Sequence, residues 1–158
     1  MSTSDVYDAH TGAQACELQL RDFGGVRAFS GEIATVSCRE DNVVLRARLA
    51  QGGDGKVLVV DGGGSLRCAL LGENVARLAC EHGWRGLVVN GCVRDVDALA
   101  ALPLGIKALG ACPRPSGKTG AGEADAAVSF GGATFAPGAS LWSDADGIVV
   151  VSDTCEGV

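Results

Sequence analysis

The middle of the chain alternates short apolar runs with segments in which apolar residues recur at helical spacing. Continuous or alternating apolar residues predict the strands 31–38, 56–64, 86–91 and 106–112. Capping residues, with apolar residues three or four positions apart, predict the helices 40–50, 72–83 and 95–102. This order of strands and helices predicts a parallel sheet with right-handed crossovers.

After Pro113 the pattern becomes that of a β-rich segment. Residues 113–126, "PRPSGKTGAGEADA", predict a long glycine-rich loop. Residues 127–152 predict short strands joined at Gly-Gly, Pro-Gly and Asp-Gly turns. The predicted fold class is therefore α/β, as a single domain over residues 1–158 with a parallel-stranded middle and a β-rich carboxyl-terminal third.

Composition and charge narrow the class of protein. The 158 residues are 47% hydrophobic and 20% charged, which suits a globular domain that buries most of its unfolded surface. The net charge is −6, and Lys and Arg form no run. Such a chain repels a phosphate backbone, so direct nucleic-acid binding is not expected.

The sequence also predicts where the protein resides. No apolar stretch approaches the roughly 18 to 20 residues that a membrane helix needs, and "MSTSDVYDAH" at the start is too polar for a signal peptide. The seven cysteines are scattered singly, with no Cys-x-x-Cys pair and two histidines in the whole chain. We therefore expect a cytoplasmic protein with reduced, buried cysteines and no structural zinc or membrane contact.

Three stretches suggest ligand sites but lack a required residue. "SGKTG" has Cys112 where a phosphate-binding loop has its first glycine, and "DGGGSLR" has Arg67 where a dinucleotide-binding loop has its third. "SDADG" follows Trp142, which stands where an EF-hand has its first ligand, so a turn is predicted. No Gly-x-Ser-x-Gly motif occurs, and neither histidine lies near a candidate nucleophile, which disfavours Ser-His and Cys-His catalysis.

Charged residues follow two of the predicted parallel strands, whose carboxyl ends meet at one edge of a sheet, where open α/β folds place their ligands. One strand leads to the helix start Gly72–Val75, and the next leads to Arg94 and Asp95. A helix start offers free N–H groups to a carboxylate ligand, and Arg94 can add a bidentate contact. Asp95 and Glu73 are hard oxygen ligands that suit Mg²⁺ or Mn²⁺. The alternative is a surface turn in which Asp95 caps the helix 95–102.

The chain resembles the RraA family, named for the regulator of ribonuclease E activity A, which also contains 4-hydroxy-4-methyl-2-oxoglutarate and 4-carboxy-4-hydroxy-2-oxoadipate aldolases. The resemblance covers nearly the whole chain and rests on "DFGG", "FSGEIATVSCREDNVVLRARL", "GKVLVVDGGGSLRCALLGENVARLACEHGWRGLVVNGCVRDVDAL", "GIKALGACPRPSGKTGAGE" and "GGATFAPGASLWSDADGIVVV". It implies a compact swivelling β/β/α-type domain that forms a homotrimer, with sites near the subunit interfaces.

The resemblance also implies roles for particular residues. In the aldolase branch an arginine that binds the 2-oxo acid precedes an aspartate that anchors a divalent metal, and Arg94 and Asp95 match them. The substrate loop at a helix start falls on Gly72, Glu73, Asn74 and Val75. The implied activity is metal-dependent cleavage of 2-oxo acids to pyruvate through an enolate, with catalysis by Arg94, Asp95 and Glu73. Oxaloacetate decarboxylation is expected as a side activity.

Two other functions stay open. Some relatives studied as ribonuclease regulators lack the aspartate that binds the metal. This chain keeps it as Asp95, which favours an enzymatic activity. Longer aldolases of the family extend further and contribute an acidic residue from a neighbouring subunit, which we expect to be missing after Val158. The first alternative is therefore a regulator that binds ribonuclease E or an RNA helicase, and the second is a trimer that binds a small molecule without turnover.

Overall fold

The computed structural model describes residues 1–152. Its helices are α1 (Thr3–Ala9), α2 (Val43–Ala50), α3 (Glu73–Glu81) and α4 (Val96–Leu99). Its strands are β1 (Gln14–Ala15), β2 (Arg21–Asp22), β3 (Phe29–Ser37), β4 (Val57–Asp61), β5 (Ala69–Leu71), β6 (Gly86–Val93), β7 (Gly105–Ala111), β8 (Glu123–Ala124), β9 (Val128–Phe130), β10 (Ala133–Phe135), β11 (Ser140–Asp144) and β12 (Gly147–Val151).

The main sheet is mixed, with a parallel centre. Its strand order is β1-β12-β11-β3-β4-β6-β7-β2, with β5 added beside β6 and β8 beside β3. The four strands predicted from the apolar pattern, β3, β4, β6 and β7, pair in parallel at the centre. The α/β class, with its parallel middle and β-rich carboxyl-terminal third, is confirmed.

The central parallel strands are covered on both faces, which is why β4 and β6 are mostly apolar along their length. Leu58 and Val60 of β4 point to a core that includes residues of α2 and α3, whereas Val57 and Val59 point to a second core that includes residues of β9 to β12. All eight residues of β6 are buried.

The hairpins of the carboxyl-terminal third follow the predicted turn residues. Gly131 and Gly132 join β9 to β10 with φ of 59° and 76°, the left-handed backbone of a type I′ turn. Ala145 and Asp146 join β11 to β12, so the acidic segment "SDADG" is a hairpin turn, as predicted.

Three differences from the predicted elements bear on the site. The strand predicted over 86–91 continues to Val93, because the short β5, which was not predicted, pairs with its second half. The helix predicted over 95–102 is one turn, since Pro103 disfavours helical backbone at the residue before it and Leu102 and Leu104 turn inward to be buried. The polar amino-terminal segment contains a helix, α1, that was not predicted.

Helix α1 is held on the sheet by the carboxylate of Asp144. Its Oδ2 accepts the backbone N–H of Thr3 at 2.9 Å, and its Oδ1 accepts the Thr3 hydroxyl at 2.7 Å. Burial raises the pKa of Asp144, but these hydrogen bonds outweigh burial and lower it below the ordinary value. The carboxylate is therefore charged at neutral pH.

The cysteines of the described residues are free thiols. Cys16, Cys38, Cys68 and Cys92 are buried, and Cys80 and Cys112 are half-buried. Burial, with nearby carboxylates adding to it, raises the pKa of Cys38 to about 12. The seventh cysteine, Cys155, lies outside the described residues.

No helix within 1–152 is long and apolar enough to cross a bilayer.

We expect Gly105→Ala to lower the free energy of unfolding by about 1–3 kcal/mol because it overpacks the second core. Gly86 and Gly105 pair across β6 and β7 beneath the ring of Phe29, and a Cβ on Gly105 would lie 2.1 Å from Phe29 Cδ1. Urea denaturation measures the effect, with Gly12→Ala as a control because a Cβ there meets nothing within 4 Å. Adding Phe29→Leu should restore part of the loss. Equal stability of the two alanine variants would contradict this packing.

Candidate functional site

The candidate site forms where the ends of β5 and β6 lie side by side. The backbone N–H of Arg94 donates to the carbonyl of Leu71 at 3.0 Å, which extends the strand pairing by one more residue. Gly72, the residue before α3, therefore lies beside Arg94 and Asp95. The predicted residues are brought together, but the strand that leads to Gly72 is β5 rather than the strand predicted over 56–64.

The side chain of Asp95 caps α3 and not α4, the helix that directly follows it in the chain. Its Oδ2 accepts the backbone N–H of Glu73, at the start of α3, at 2.9 Å. The side chain makes no capping hydrogen bond to α4. The backbone of Asp95 is left-handed, with φ 61° and ψ 42°, a conformation that costs free energy for a residue other than glycine. This geometry contradicts the alternative of an ordinary cap on the helix that follows, and it leaves Oδ1 without a hydrogen-bond donor among residues 1–152.

Gly72 is required by the closeness of the two strand ends. A Cβ at this position would lie 2.5 Å from Asp95 Oδ2 and 3.0 Å from Arg94 Cγ. Such contacts are shorter than van der Waals separation, so any larger residue would move the carboxylate away from the helix start.

The other predicted residues differ in how they are held. Arg94 is exposed, and its Nη1 donates to the carbonyl of Pro113 at 3.3 Å. Glu73 accepts from Arg77 through Oε2, at 2.8 and 2.6 Å, so one of its oxygens is already paired. Asn74 is exposed and Val75 is buried in the first turn of α3, where backbone N–H groups have no partner within the helix.

These residues line a polar cavity of about 130 Å³. This volume is small beside the roughly 300–1,000 Å³ of sites for drug-sized ligands, and it suits a small organic acid with water. A second, more apolar cavity of about 300 Å³ has Arg94 and Asp95 in its wall, together with Val96 and Cys112. Arg94 and Asp95 thus stand between the two cavities.

Sequence reasoning missed four polar residues of the first cavity: Asn42, Arg46, Ser116 and Lys118. Asn42 donates from Nδ2 to the carbonyl of Leu70 at 2.9 Å, and its buried Oδ1 has no partner within 1–152. Lys118 belongs to "SGKTG", where the phosphate-loop motif was rejected, and no helix follows it. The positive charge of Lys118 in a glycine-rich loop was the one feature of the sequence that could have indicated a role in the site. The number of residues between Lys118 and the strand ends does not indicate that they meet.

The residues present fit a divalent cation held partly by water. Asp95 Oδ1 and Glu73 Oε1 have no hydrogen-bond donor within 1–152 and lie at the same helix start. Within that range, no cluster of three or more His, Cys, Asp or Glu side chains could enclose a metal. One or two carboxylates with water and a substrate are the ligands that Mg²⁺ takes, whereas a closed zinc site needs more protein ligands.

The fold is a mixed α/β domain, and the candidate site is a small polar cavity beside the ends of β5 and β6, with Arg46, Arg94 and Lys118 in its wall. The RraA-like family model, described as Aldolase/RraA, matches residues 3–150. The chain belongs to this family, which confirms the resemblance found in the sequence.

Relatives carry different names. A Pseudomonas syringae pv. tomato protein provisionally named 4-hydroxy-4-methyl-2-oxoglutarate aldolase is 50% identical over 149 residues, covering 94% of this chain and 92% of that protein. A Geobacillus kaustophilus structure named S-adenosylmethionine:2-dimethylmenaquinone methyltransferase is 47% identical with a TM-score of 0.94, covering 96% of this chain and 95% of that one. The RNA-processing inhibitor RraA of Thermus thermophilis is 42% identical with a TM-score of 0.95, covering 100% and 96%.

We expect Gly72→Ala to destabilise the start of α3, because its Cβ would displace Asp95 Oδ2 from the Glu73 N–H. Loss of a helix cap costs about 0.5–2 kcal/mol. Hydrogen exchange of the Glu73 amide should accelerate in Gly72→Ala and in Asp95→Ala. Asp97→Ala, which changes an exposed carboxylate two residues away, serves as the control. Unchanged exchange in both test variants would show that this contact does not hold the helix start.

Proposed function

We propose that the chain is a divalent-metal-dependent lyase that cleaves 4-hydroxy-4-methyl-2-oxoglutarate-type 2-oxo acids to pyruvate and also decarboxylates oxaloacetate. One observation carries the proposal: Arg94 and Asp95 lie beside the start of α3, and all of these residues line the same small polar cavity. The 50% identity to a protein provisionally named as such an aldolase supports it.

The chain's own residues bind and orient the acid. Arg94 takes the carboxylate beside the keto group, and the free N–H groups of Asn74 and Val75 add the positive end of α3. Arg46 and Lys118, in the same wall, offer charge to the second carboxylate that these substrates carry. The substrate is thereby held at both ends, which fixes the bond to be broken.

Asp95, with Glu73 in support, would hold the cation. Asp95 is kept in place by the Glu73 N–H, which leaves Oδ1, without a donor within 1–152, as the oxygen that would bind the cation. When bound, Mg²⁺ or Mn²⁺ supplies positive charge that stabilises the enolate oxygen.

One enolate accounts for both reactions. In the aldol cleavage a general base takes the proton of the 4-hydroxyl, and C4 becomes the carbonyl carbon of one product, which is pyruvate for 4-hydroxy-4-methyl-2-oxoglutarate. The bond between C3 and C4 breaks, and its electron pair stays on C3 of the other fragment, the pyruvate enolate. In oxaloacetate the same carbon is freed by loss of CO₂. A proton returned to C3 gives pyruvate in each case.

A homotrimer, which the family resemblance implies, is part of this proposal, and so is the cytoplasmic location expected from the sequence. Sedimentation of the purified chain measures the assembly. A monomer with full turnover would contradict the placing of sites near subunit interfaces.

A second candidate is inhibition of RNA processing by protein contact. The net charge of −6 and the similarity to the Thermus thermophilis inhibitor favour it, because an acidic surface can mask a basic RNA-binding segment of ribonuclease E or an RNA helicase. Failure to bind or inhibit ribonuclease E in a purified assay would count against it.

The methyltransferase name of the Geobacillus kaustophilus structure finds less support in this chain. The glycine turn after β4 has Gly63 and Gly64 at φ of 68° and 74° and leads to β5 rather than to a helix. Dinucleotide-type binding loops place a helix start at this point.

We expect the purified chain to release pyruvate from 4-hydroxy-4-methyl-2-oxoglutarate and from oxaloacetate with Mg²⁺ or Mn²⁺, and to lose this activity with EDTA. Asp95→Asn and Arg94→Met should each lower kcat/KM by about 100-fold or more, since the first removes the charge that would hold the cation and the second removes the charge that binds the acid. Coupled pyruvate assays measure both reactions.

Asp97→Asn is the matched control, because its side chain is exposed and close in sequence to the site. It should stay within about twofold of the wild type. Full metal-dependent activity in Asp95→Asn would remove Asp95 from the mechanism, and no turnover by folded, metal-supplied protein would favour the regulator.

A further inference from the structure

Residues 116–120 form part of the cavity wall although they lie in neither a helix nor a strand. Ser116 and Lys118 line the cavity, and Lys118 Nζ donates within the loop to the carbonyl and hydroxyl oxygens of Ser116, at 3.3 and 3.4 Å. A glycine-rich loop of this kind has high conformational entropy unless another element holds it.

The loop is held by the residues that precede α2. The N–H of Gly117 donates to the carbonyl of Glu40 at 2.8 Å, and the Gly117 carbonyl accepts from the N–H of Asn42 at 3.3 Å. A Cβ on Gly117 would lie 3.3 Å from the Glu40 carbonyl oxygen, so the two backbones are in close contact.

The carboxylate of Asp41 completes the attachment. Its Oδ2 accepts the Thr119 N–H and, at 2.8 Å, the Thr119 hydroxyl, while its Oδ1 accepts the Gly120 N–H at 3.1 Å. Oδ1 also accepts the Val43 N–H at 3.1 Å, which ties the carboxylate to the start of α2. Asp41 is 3% exposed, so its hydrogen bonds are sheltered from water.

The charge state of Asp41 agrees with this role. Burial raises the pKa of Asp41, but the hydrogen bonds from Thr119, Val43 and Gly120 outweigh burial and lower it. An ionised carboxylate accepts charge-assisted hydrogen bonds, which are stronger than neutral ones. Within residues 1–152, every hydrogen bond that joins residues 117–120 to another element ends on residues 40–42.

We propose that Asp41 is a positioning residue that fixes the 116–120 loop so that Lys118 binds the second carboxylate of the substrate. The inference rests on the proposed function of the cavity, because it assigns that carboxylate to Lys118. Asp41 touches no substrate. It acts by removing the entropy cost of ordering the loop when the acid binds.

The test compares two 2-oxo acids that differ in the second carboxylate. In calorimetric titrations with Mg²⁺ present, Asp41→Asn should weaken 2-oxoglutarate about tenfold and leave pyruvate within about twofold. Lys118→Met should do the same, and adding Asp41→Asn to Lys118→Met should cause little further loss, because both act on one contact. Asp54→Asn, an exposed turn carboxylate in left-handed backbone, is the control.

A second variant keeps the test decisive if Asp41→Asn folds poorly. Thr119→Val removes the hydroxyl that donates to Asp41 and accepts the Ala121 N–H at 3.4 Å, and it should weaken 2-oxoglutarate about threefold with pyruvate unchanged. Hydrogen exchange of the Thr119 and Gly120 amides should accelerate in the Asp41 variant and not in Lys118→Met.

The outcomes separate this inference from the proposed function. Equal weakening of both acids by Asp41→Asn, or additive effects of Asp41→Asn and Lys118→Met, would overturn the positioning role. Selective weakening of 2-oxoglutarate by a protein that turns over neither substrate would support the role of Asp41 and refute the lyase. A wild-type chain that binds neither acid would refute both.

Discussion

The site depends on one hydrogen bond between neighbouring strand ends, from the N–H of Glu73 to Asp95 Oδ2. A helix start needs an acceptor for its free N–H groups, and the usual source is the residue just before the helix. That residue is Gly72, which has no side chain to offer, so the acceptor comes from the end of β6. The same carboxylate thereby stabilises α3 and is fixed in the cavity wall.

This arrangement would allow an acidic chain to hold the acid proposed as its substrate. The net charge is −6, yet the cavity is lined by Arg46, Arg94 and Lys118, and the carboxylate of Glu73 is paired with Arg77. The local potential is therefore set by a few side chains at short range, since charges further away are screened by solvent and salt. In the proposed function, Asp95 is where a cation would balance the bound acid.

Two carboxylates hold segments of the backbone that strand pairing does not hold, because they accept hydrogen bonds from those segments. Asp144 holds the first turn of α1, and Asp41 holds the loop of Lys118. In both cases one side chain satisfies several N–H groups that would otherwise be left without acceptors in a partly buried setting. Short polar side chains thus fix segments that the apolar pattern leaves undefined.

The sequence by itself determined the parallel strands and the hairpin turns, because the spacing of apolar residues and the choice of turn residues are local properties. It also placed Gly72, Glu73, Arg94 and Asp95 at the ends of strands, because the order of strands and helices along the chain can be read directly. Two predicted elements differ in length: β6 continues to Val93, where it pairs with β5, and α4 stops after one turn, where Leu102 and Leu104 turn inward. Only the tertiary structure decided which helix Asp95 caps, and that Asn42, Arg46, Ser116 and Lys118 join the cavity. The physical reason is that the hydrogen bonds that build the site join residues 22 to 78 positions apart, and local sequence patterns contain no information about contacts over such separations.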